Sequence, residues 1–178
     1  MADPAVVYTS SVEALIRALG TRLDEHAHQK FAALGVPLRG KLQPAYPREQ
    51  WIAACVYGGE LLFAGLEPAE QRRRLGRRFI DGYAETMAGR ALFTIMRVLG
   101  ARRSLARIEQ NLRTGNNYAK ARMVETEAGA ELHLEDQPHP EWYQGMVERA
   151  LEVMGAKNVT VTQLRREANA SAYRIEFQ

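Results

Sequence analysis

Residues 68–100 read PAEQRRRLGRRFIDGYAETMAGRALFTIMRVLG, and this stretch is predicted to be helical almost throughout. At about 100° per residue, its first half places an apolar stripe on one side and a group of arginines on the other. The stripe consists of Leu75, Phe79, Ile80, Tyr83 and Met87. The pattern predicts an amphipathic helix at the surface of the protein.

The apolar side changes after Gly89. Continued at the same period, Leu92, Ile95, Met96 and Leu99 fall roughly opposite the first stripe. A straight helix over the whole stretch would be on the order of 45 Å long, which exceeds the width of a small domain. We therefore expect two helices that break at Gly89, or one helix that bends sharply there, and the second half is apolar enough to lie in the centre of the fold.

Length and composition favour one globular domain. The chain has 178 residues, of which 46% are hydrophobic, and this is enough for a substantial core. No run approaches the ~20 apolar residues of a membrane span, and the N-terminal residues lack the pattern of a signal peptide. We expect a soluble, cytoplasmic protein, in which the lone Cys55 is a buried thiol.

The net charge of +3 conceals a strong asymmetry. Residues 72–122 carry 13 basic and three acidic residues, whereas residues 123–152 carry eight acidic residues and one arginine. We expect the two segments to pair, within one chain or across a dimer. The less favoured alternative is an anion or nucleic-acid site. Its candidate residues are Arg72, Arg73, Arg74, Arg77 and Arg78.

Beyond Asn117 the hydrophobic period changes from helical to alternating. A hairpin that turns near residues 127–129 would place Lys120 opposite Glu135 and Arg122 opposite His133. A helix from Pro140 to Gly155 and two more strands follow. The sequence predicts one α+β domain over residues 1–178, in which helices of residues 1–115 pack with a β-β-α-β-β antiparallel sheet unit of residues 116–178.

A search for catalytic motifs favours a non-enzymatic protein without a metal. The sequence has no nucleophile elbow, dinucleotide fingerprint or paired cysteine ligands. His26 and His28 point to different sides of a helix, so they cannot chelate one metal from one face. Asp81 and Glu85 lie among arginines at the spacing of helical ion pairs.

Large apolar residues on the predicted central helices are candidates for a ligand pocket. Such pockets are mostly apolar with few polar groups. Ordinary core packing is the alternative, because it is the usual role of aromatic residues at helical spacing. The candidates are Trp51, Cys55, Tyr57, Phe79, Tyr83, Met87 and Phe93.

Four segments resemble an uncharacterised family that is known chiefly from myxobacteria. They are LQPAYP, LGRRFIDGYAETMAGRAL, GNNY and SAYRIEFQ. More distantly, residues 130–177 are similar to the last unit of the superfamily of haem nitric-oxide-binding, vinyl-reductase-like and TRAPP-like domains. Tyr143, Gly145 and Met146 match the start of its helix. The resemblance implies helices and a four-stranded sheet around a pocket for haem, a small lipophile or an acyl chain.

The residues that the haem branch of this superfamily uses differ here. That branch carries a proximal histidine in the helix before the sheet, and residues 101–115 contain none. Its Tyr-x-Ser-x-Arg clamp falls on His133, Glu135 and Gln137, and an acid at the middle position would repel propionates. The cysteine ligands for zinc of some vinyl-reductase-like domains are also absent. From these differences we expect no cofactor and regard haem as unlikely.

The leading interpretation of the sequence is a non-enzymatic binding or regulatory module for a lipophilic or acyl ligand. The superfamily resemblance and the charge asymmetry also imply a homodimer. The second interpretation is a dimeric interaction scaffold without a ligand. The third is anion or nucleic-acid binding through the arginine-rich helix, with nucleic acid the least expected partner.

Overall fold

The computed structural model describes residues 3–126, 129–167 and 170–178. Its first part is a helical layer, which also contains two short strands that pair antiparallel although they are far apart in the sequence. These are β1 (Val6–Tyr8) and β2 (Ala45–Pro47), and between them lie α1 (Thr9–Leu19), a 3₁₀ turn (Gly20–Arg22) and α2 (Glu25–Ala33). The helices α3 (Arg48–Leu62), α4 (Pro68–Glu85), α5 (Met87–Leu99), α6 (Ala101–Leu105) and α7 (Ile108–Leu112) follow.

The second part is an antiparallel sheet with one helix. The elements are β3 (Lys120–Thr126), β4 (Gly129–Glu135), α8 (Pro140–Val153), β5 (Thr160–Arg166) and β6 (Ala170–Glu176). The strands lie in the order β3-β4-β6-β5. Lys120 pairs with Glu135 and Arg122 with His133, as the alternation predicts. Residues 127 and 128 of the predicted turn lie outside the described residues. The prediction of a mixed helix and sheet fold is confirmed.

Helix α4 lies at the centre of the helical layer, so the prediction of a surface helix was wrong. It packs against α1, α3 and α8. Glycines allow the close crossings: a Cβ on Gly76 would lie 2.2 Å from the Trp142 carbonyl oxygen, and one on Gly145 would lie 1.9 Å from that of Arg73. The apolar stripe meets α1 and the interior, while Arg72, Arg73 and Arg77 meet α8. Both sides of α4 are therefore covered.

The break between α4 and α5 lies at Thr86, three residues before the predicted position. The Thr86 hydroxyl caps α5 by accepting from the Gly89 N–H at 2.9 Å, and it donates to the Tyr83 carbonyl oxygen at 2.8 Å. Gly89 is nevertheless required, because a Cβ there would lie 1.7 Å from the Tyr83 carbonyl oxygen. The glycine permits a sharp corner, and the threonine fixes where it occurs.

Helix α5 covers one side of the interior and is not central as predicted. Phe93 and Met96 face inward and are 4% and 8% exposed. On its outer side, Met87 is 89%, Ile95 57% and Val98 84% exposed. The projection identified an apolar helix correctly, but it could not tell that the apolar residues occupy two faces of which only one is buried.

Candidate functional site

An apolar cavity of about 120 Å³ lies between the helices and the sheet. Helix α4 contributes Phe79 and Tyr83, and α5 contributes Phe93 and Met96. Most of the remaining lining comes from α6, α7, α8 and β4, including Leu105, Leu112, Leu134, Val147 and Ala150, and β1, α1 and α3 contribute one residue each. The described lining residues include no charged side chain. This environment favours a neutral, apolar occupant, because a buried charge without a partner is costly.

Aromatic rings form one continuous wall of the cavity. Phe79 stacks on Tyr83 with ring centroids 6.3 Å apart, and Trp142 packs against Phe79 at 5.0 Å. Trp51 meets Trp142 edge-on at 6.3 Å. Rings in such offset and edge-to-face contacts hold one another in place. The wall therefore gives the cavity a fixed shape on the α4 side.

Polar groups from α7 and from the loop after it line part of the cavity. The Thr114 hydroxyl donates to the Asn111 carbonyl oxygen at 2.7 Å, and its oxygen lies 3.4 Å from the Tyr83 hydroxyl. Because Thr114 has already donated its only hydroxyl proton, Tyr83 is the donor in that long contact. A normal O–H···O distance is about 2.7–2.8 Å. Tyr83 is thus the polar group best placed to hydrogen-bond a ligand.

The structure brings four of the seven predicted pocket residues together. Trp51, Phe79, Tyr83 and Phe93 all line the cavity. Cys55 lies outside it, and Tyr57 packs against the Phe31 ring with centroids 5.0 Å apart. Met87 belongs to the exposed side of α5, because the corner at Thr86 turns it away from the stripe on α4.

Several lining residues escaped the sequence reasoning. Met96, Val147 and Ala150 sit on inward helical faces, and Leu134 on the inward face of β4. Helical and strand periodicity does identify these faces. Periodicity does not, however, distinguish an inward residue that lines a cavity from one that is closely packed. The type of the residue does not distinguish them either.

A smaller pocket of about 30 Å³ adjoins the cavity and shares Trp51, Trp142 and Tyr143 with it. Cys55 and Tyr118 also line this pocket. Burial raises the pKa of the Cys55 thiol and of the Tyr143 hydroxyl. Since the thiolate is the reactive form of cysteine, this environment suppresses nucleophilic chemistry at Cys55.

The predicted pairing of the basic and acidic segments occurs within the chain. Arg73 of α4 binds both carboxylate oxygens of Glu148 of α8, with N–O distances of 3.0 Å. Arg77 lies 3.2 Å from a Glu148 oxygen and 2.8 Å from one of Glu152. One further pair has its arginine on α8 and its acid on α4: Arg149 lies 2.6 Å from Asp81. The charges thus join α4 to α8, and we call this set of ion pairs the α4–α8 seam.

A buried carboxylate extends the α4–α8 seam to the sheet. Glu141 is 6% exposed and is bound by Arg72, at 3.3 Å, and by Arg166 of β5. Burial acts to raise the pKa of Glu141, but its own backbone N–H and the two guanidinium groups outweigh that effect and lower the pKa below its ordinary value. The ionised form is therefore favoured at neutral pH.

All five arginines of the predicted anion site have contacts inside the protein. Arg72, Arg73 and Arg77 take part in the seam. Arg74 pairs with Glu70 at 2.7 Å, and Arg78 donates to the Ala18 carbonyl oxygen at 3.3 Å. The group is therefore partly neutralised and divided between two sides of α4.

Within residues 3–126, 129–167 and 170–178, no three side chains of the metal-binding types lie close enough to hold one ion. None of the helices described there combines the length and the apolar character needed to cross a membrane.

The family model for a protein of unknown function, DUF2378, matches residues 5–178. The chain belongs to this family. The predicted resemblance to an uncharacterised family is thereby confirmed in its general form. No curated protein matches the chain by sequence.

Solved structures similar to this DUF2378 protein are H-NOX domains. One, solved in work on H-NOX activation, matches with a TM-score of 0.71, 14% identity and coverage of 94% of each chain. Another, solved to probe haem distortion in the H-NOX family, has a TM-score of 0.70 and 14% identity, covering 95% of this chain and 94% of that chain. An oxygen-binding H-NOX domain related to soluble guanylate cyclases has a TM-score of 0.66 and 13% identity, covering 95% and 92%. The likeness establishes the fold.

The prediction that no cofactor is used, with haem unlikely, was wrong. It rested on motifs missing from the sequence, whereas the whole chain has the fold of domains described as haem proteins. Haem is therefore a ligand that has to be tested on this protein.

The residues present form only part of a haem site. Methionine and tyrosine are known haem ligands, and Met96, Met146 and Tyr83 line the cavity. The described lining supplies no cation for propionate groups. A cavity of about 150 Å³ holds benzene, so the 120 Å³ here corresponds to about one ring. The walls would have to move apart for a tetrapyrrole to enter.

Proposed function

We propose that this protein is a non-enzymatic sensor-type module that binds a small lipophilic ligand in the cavity between α4, α5, α8 and the sheet. The ligand is a molecule of about one ring or the end of an acyl chain. The observation that carries the proposal is the cavity itself, which has a volume of about 120 Å³ and an uncharged lining. An apolar void of this size costs stability when empty, and filling it restores contacts.

The position of the cavity supports a sensing role. Its described lining comes from seven helices and two strands, and α5 follows α4 at the corner at Thr86 and packs against it through Phe93 and Tyr83. A ligand between them would contact Tyr83 on α4, Met96 on α5 and Val147 on α8 at once. Ligand binding can therefore change the position of α5 relative to the rigid α4–α8 pair, which is the kind of coupling that a sensor needs.

The other interpretations have weaker support. Arg73 and Arg77 of α4 pair with Glu148 of α8, which argues against their use for an external anion. A homodimeric scaffold remains a prediction, and light scattering over a range of protein concentrations would test it. The exposed apolar side of α5 is the surface on which such an interface would be sought.

The first experiment is mass spectrometry of freshly purified protein, native and then denatured with solvent extraction. We expect a copurifying lipophile near one equivalent, or an empty protein that binds single-ring probes such as indole and toluene with a saturable rise in melting temperature. Titration with hemin, followed by its absorption spectrum, tests haem in the same preparation. An empty protein that binds none of these compounds would contradict the proposal.

A cavity-filling variant makes the test specific. Ala150 lines the cavity, so Ala150→Leu places about three extra carbon atoms in the space proposed for the ligand. We expect probe binding to weaken at least tenfold while the helical circular dichroism spectrum stays the same. Ala32→Leu, at an exposed position of α2, is the matched control and should bind as the wild type does. Equal binding by both variants would place the ligand elsewhere.

A further inference from the structure

The outer side of α5 is an exposed apolar face. Projected at 100° per residue, Met87, Ala91, Ile95 and Val98 fall within about 80° of one another. Met87 is 89%, Ile95 57% and Val98 84% exposed, and Ala91 is exposed as well. We call these four residues the α5 outer face. Exposed apolar side chains grouped in this way are typical of interaction surfaces.

The sequence of α5 and of the segment that follows it is basic. Residues 86–108 contain five arginines and no acid. All five arginines are exposed: Arg90, Arg97, Arg102, Arg103 and Arg107. Helix α4 differs, because its Arg73 and Arg77 pair with an acid of α8, Glu148.

We propose that the α5 outer face docks on an anionic lipid surface. A helix that lies in a membrane interface buries an apolar face at the level of the headgroups, while its basic residues meet acidic lipids. An anionic lipid surface complements both features, the apolar strip and the arginines around it. A second copy of the chain would instead bring two sets of arginines together, and a nucleic acid would leave the apolar strip without a partner.

The same helix connects this surface to the ligand cavity. The inward residues Leu92, Phe93 and Met96 of α5 line the cavity, while the opposite side forms the α5 outer face. Docking would therefore place a lipid surface one helix away from the cavity, from which a lipophile can be supplied. This consequence rests on the proposed function, whereas the docking itself does not.

Vesicle binding of the full chain tests the inference. Vesicles of phosphatidylcholine alone are compared with vesicles that contain phosphatidylglycerol, by co-sedimentation at low and high salt. We expect at least about tenfold stronger binding to the anionic vesicles and a loss of that preference at high salt. Val98→Asp, which places an acid on the α5 outer face, should reduce binding at least about tenfold. Leu164→Asp, at a 41% exposed position of β5, is the matched control and should bind normally.

Three results would overturn the inference. They are a lack of binding to anionic vesicles at low salt, equal binding by Val98→Asp and wild type, and a dimeric mass in light scattering that Val98→Asp reduces to that of a monomer. The last result would assign the face to a second copy. Ala150→Leu separates this inference from the proposed function, because it should lose probe binding and keep vesicle binding.

Discussion

Helices α4 and α5 come from one continuous arginine-rich stretch, but their surroundings in the fold differ. Helix α4 packs against α1 on one side and α8 on another. Helix α5 buries Phe93 and Met96 and leaves Met87 and Val98 almost fully exposed. The difference shows that a run of charged residues does not by itself predict an exposed surface. Whether the run is exposed depends on the residues of the element that packs against it.

Several charged residues of α4 have close partners on α8. Helix α8 presents Glu148 and Glu152 to Arg73 and Arg77, so each charge on that side of α4 has a near partner. Glu148 is 3% exposed and accepts from two guanidinium groups. Such a buried group tolerates little change, since removal of one partner leaves the other charge uncompensated.

Helix α4 is also more closely packed than α5. Gly76 and Gly145 bring the backbones of α4 and α8 into contact, whereas a cavity of about 120 Å³ separates α5 from much of the interior. A close backbone crossing resists relative movement, and a void next to a helix permits it. We therefore regard α4 and α8 as the rigid body of the protein and α5 as the part that a ligand can move.

The largest expected effect comes from the helix crossing. Gly145→Ala places a Cβ 1.9 Å from the Arg73 carbonyl oxygen, so the two backbones must separate. We expect a loss of about 3 kcal/mol in the free energy of unfolding, measured by urea denaturation. Gly58→Ala is the matched control, because its nearest atom is Leu75 Cδ2 at 3.4 Å, and it should stabilise the helix by up to about 1 kcal/mol. A neutral Gly145→Ala variant would contradict the close crossing.

The next effect concerns the carboxylates of the α4–α8 seam and acid pH. Glu141 and Glu152 have pKa values below the ordinary range, because the arginines beside them outweigh the opposing effect of burial. Groups of this kind stabilise the fold above their unfolded-state pKa, and that contribution is lost as the pH falls through their folded-state pKa. The melting temperature of the wild type should therefore drop between about pH 5 and pH 3.

Glu141→Gln tests this assignment. At pH 7 it should lower the free energy of unfolding by about 2 kcal/mol, because Arg72 and Arg166 lose their shared carboxylate. The gap between variant and wild type should narrow at acid pH, where the wild-type carboxylate is also neutral. Thermal melts from pH 3 to 7 measure both quantities. A gap that is constant over this range would show that the charge of Glu141 is not what stabilises the fold.

The sequence was most informative about periodic features. The inward positions of α4 and the pairing of Lys120 with Glu135 follow from helical and strand periods. The charge asymmetry predicted that the two segments meet, but it could not choose between one chain and two, because charge counts contain no distances. The glycine crossings, which bring α4 and α8 together, decide that question in favour of one chain.

The cavity and the cofactor were the hardest features to predict. A void depends on how side chains from seven helices and two strands fail to fill a space, and a single sequence does not encode that directly. Residues such as Val147 and Ala150 therefore looked like ordinary core. The prediction that haem is not bound was wrong for a related reason. Missing motifs describe one way of holding the group, whereas a fold can persist after its motifs change.

The smallest expected effect completes the contrast between the two faces of α5. Val98→Ser changes an 84% exposed side chain, so the free energy of unfolding should stay within about 0.5 kcal/mol of the wild type. Phe93→Ala, one turn away on the inner face, removes a ring that packs against Tyr83 at 6.4 Å and enlarges the cavity, and it should cost about 3 kcal/mol or more. Urea denaturation of both variants measures the difference. If Val98→Ser were as damaging as Phe93→Ala, the outer face of α5 would be part of the core, and a lipid surface could not be what covers it.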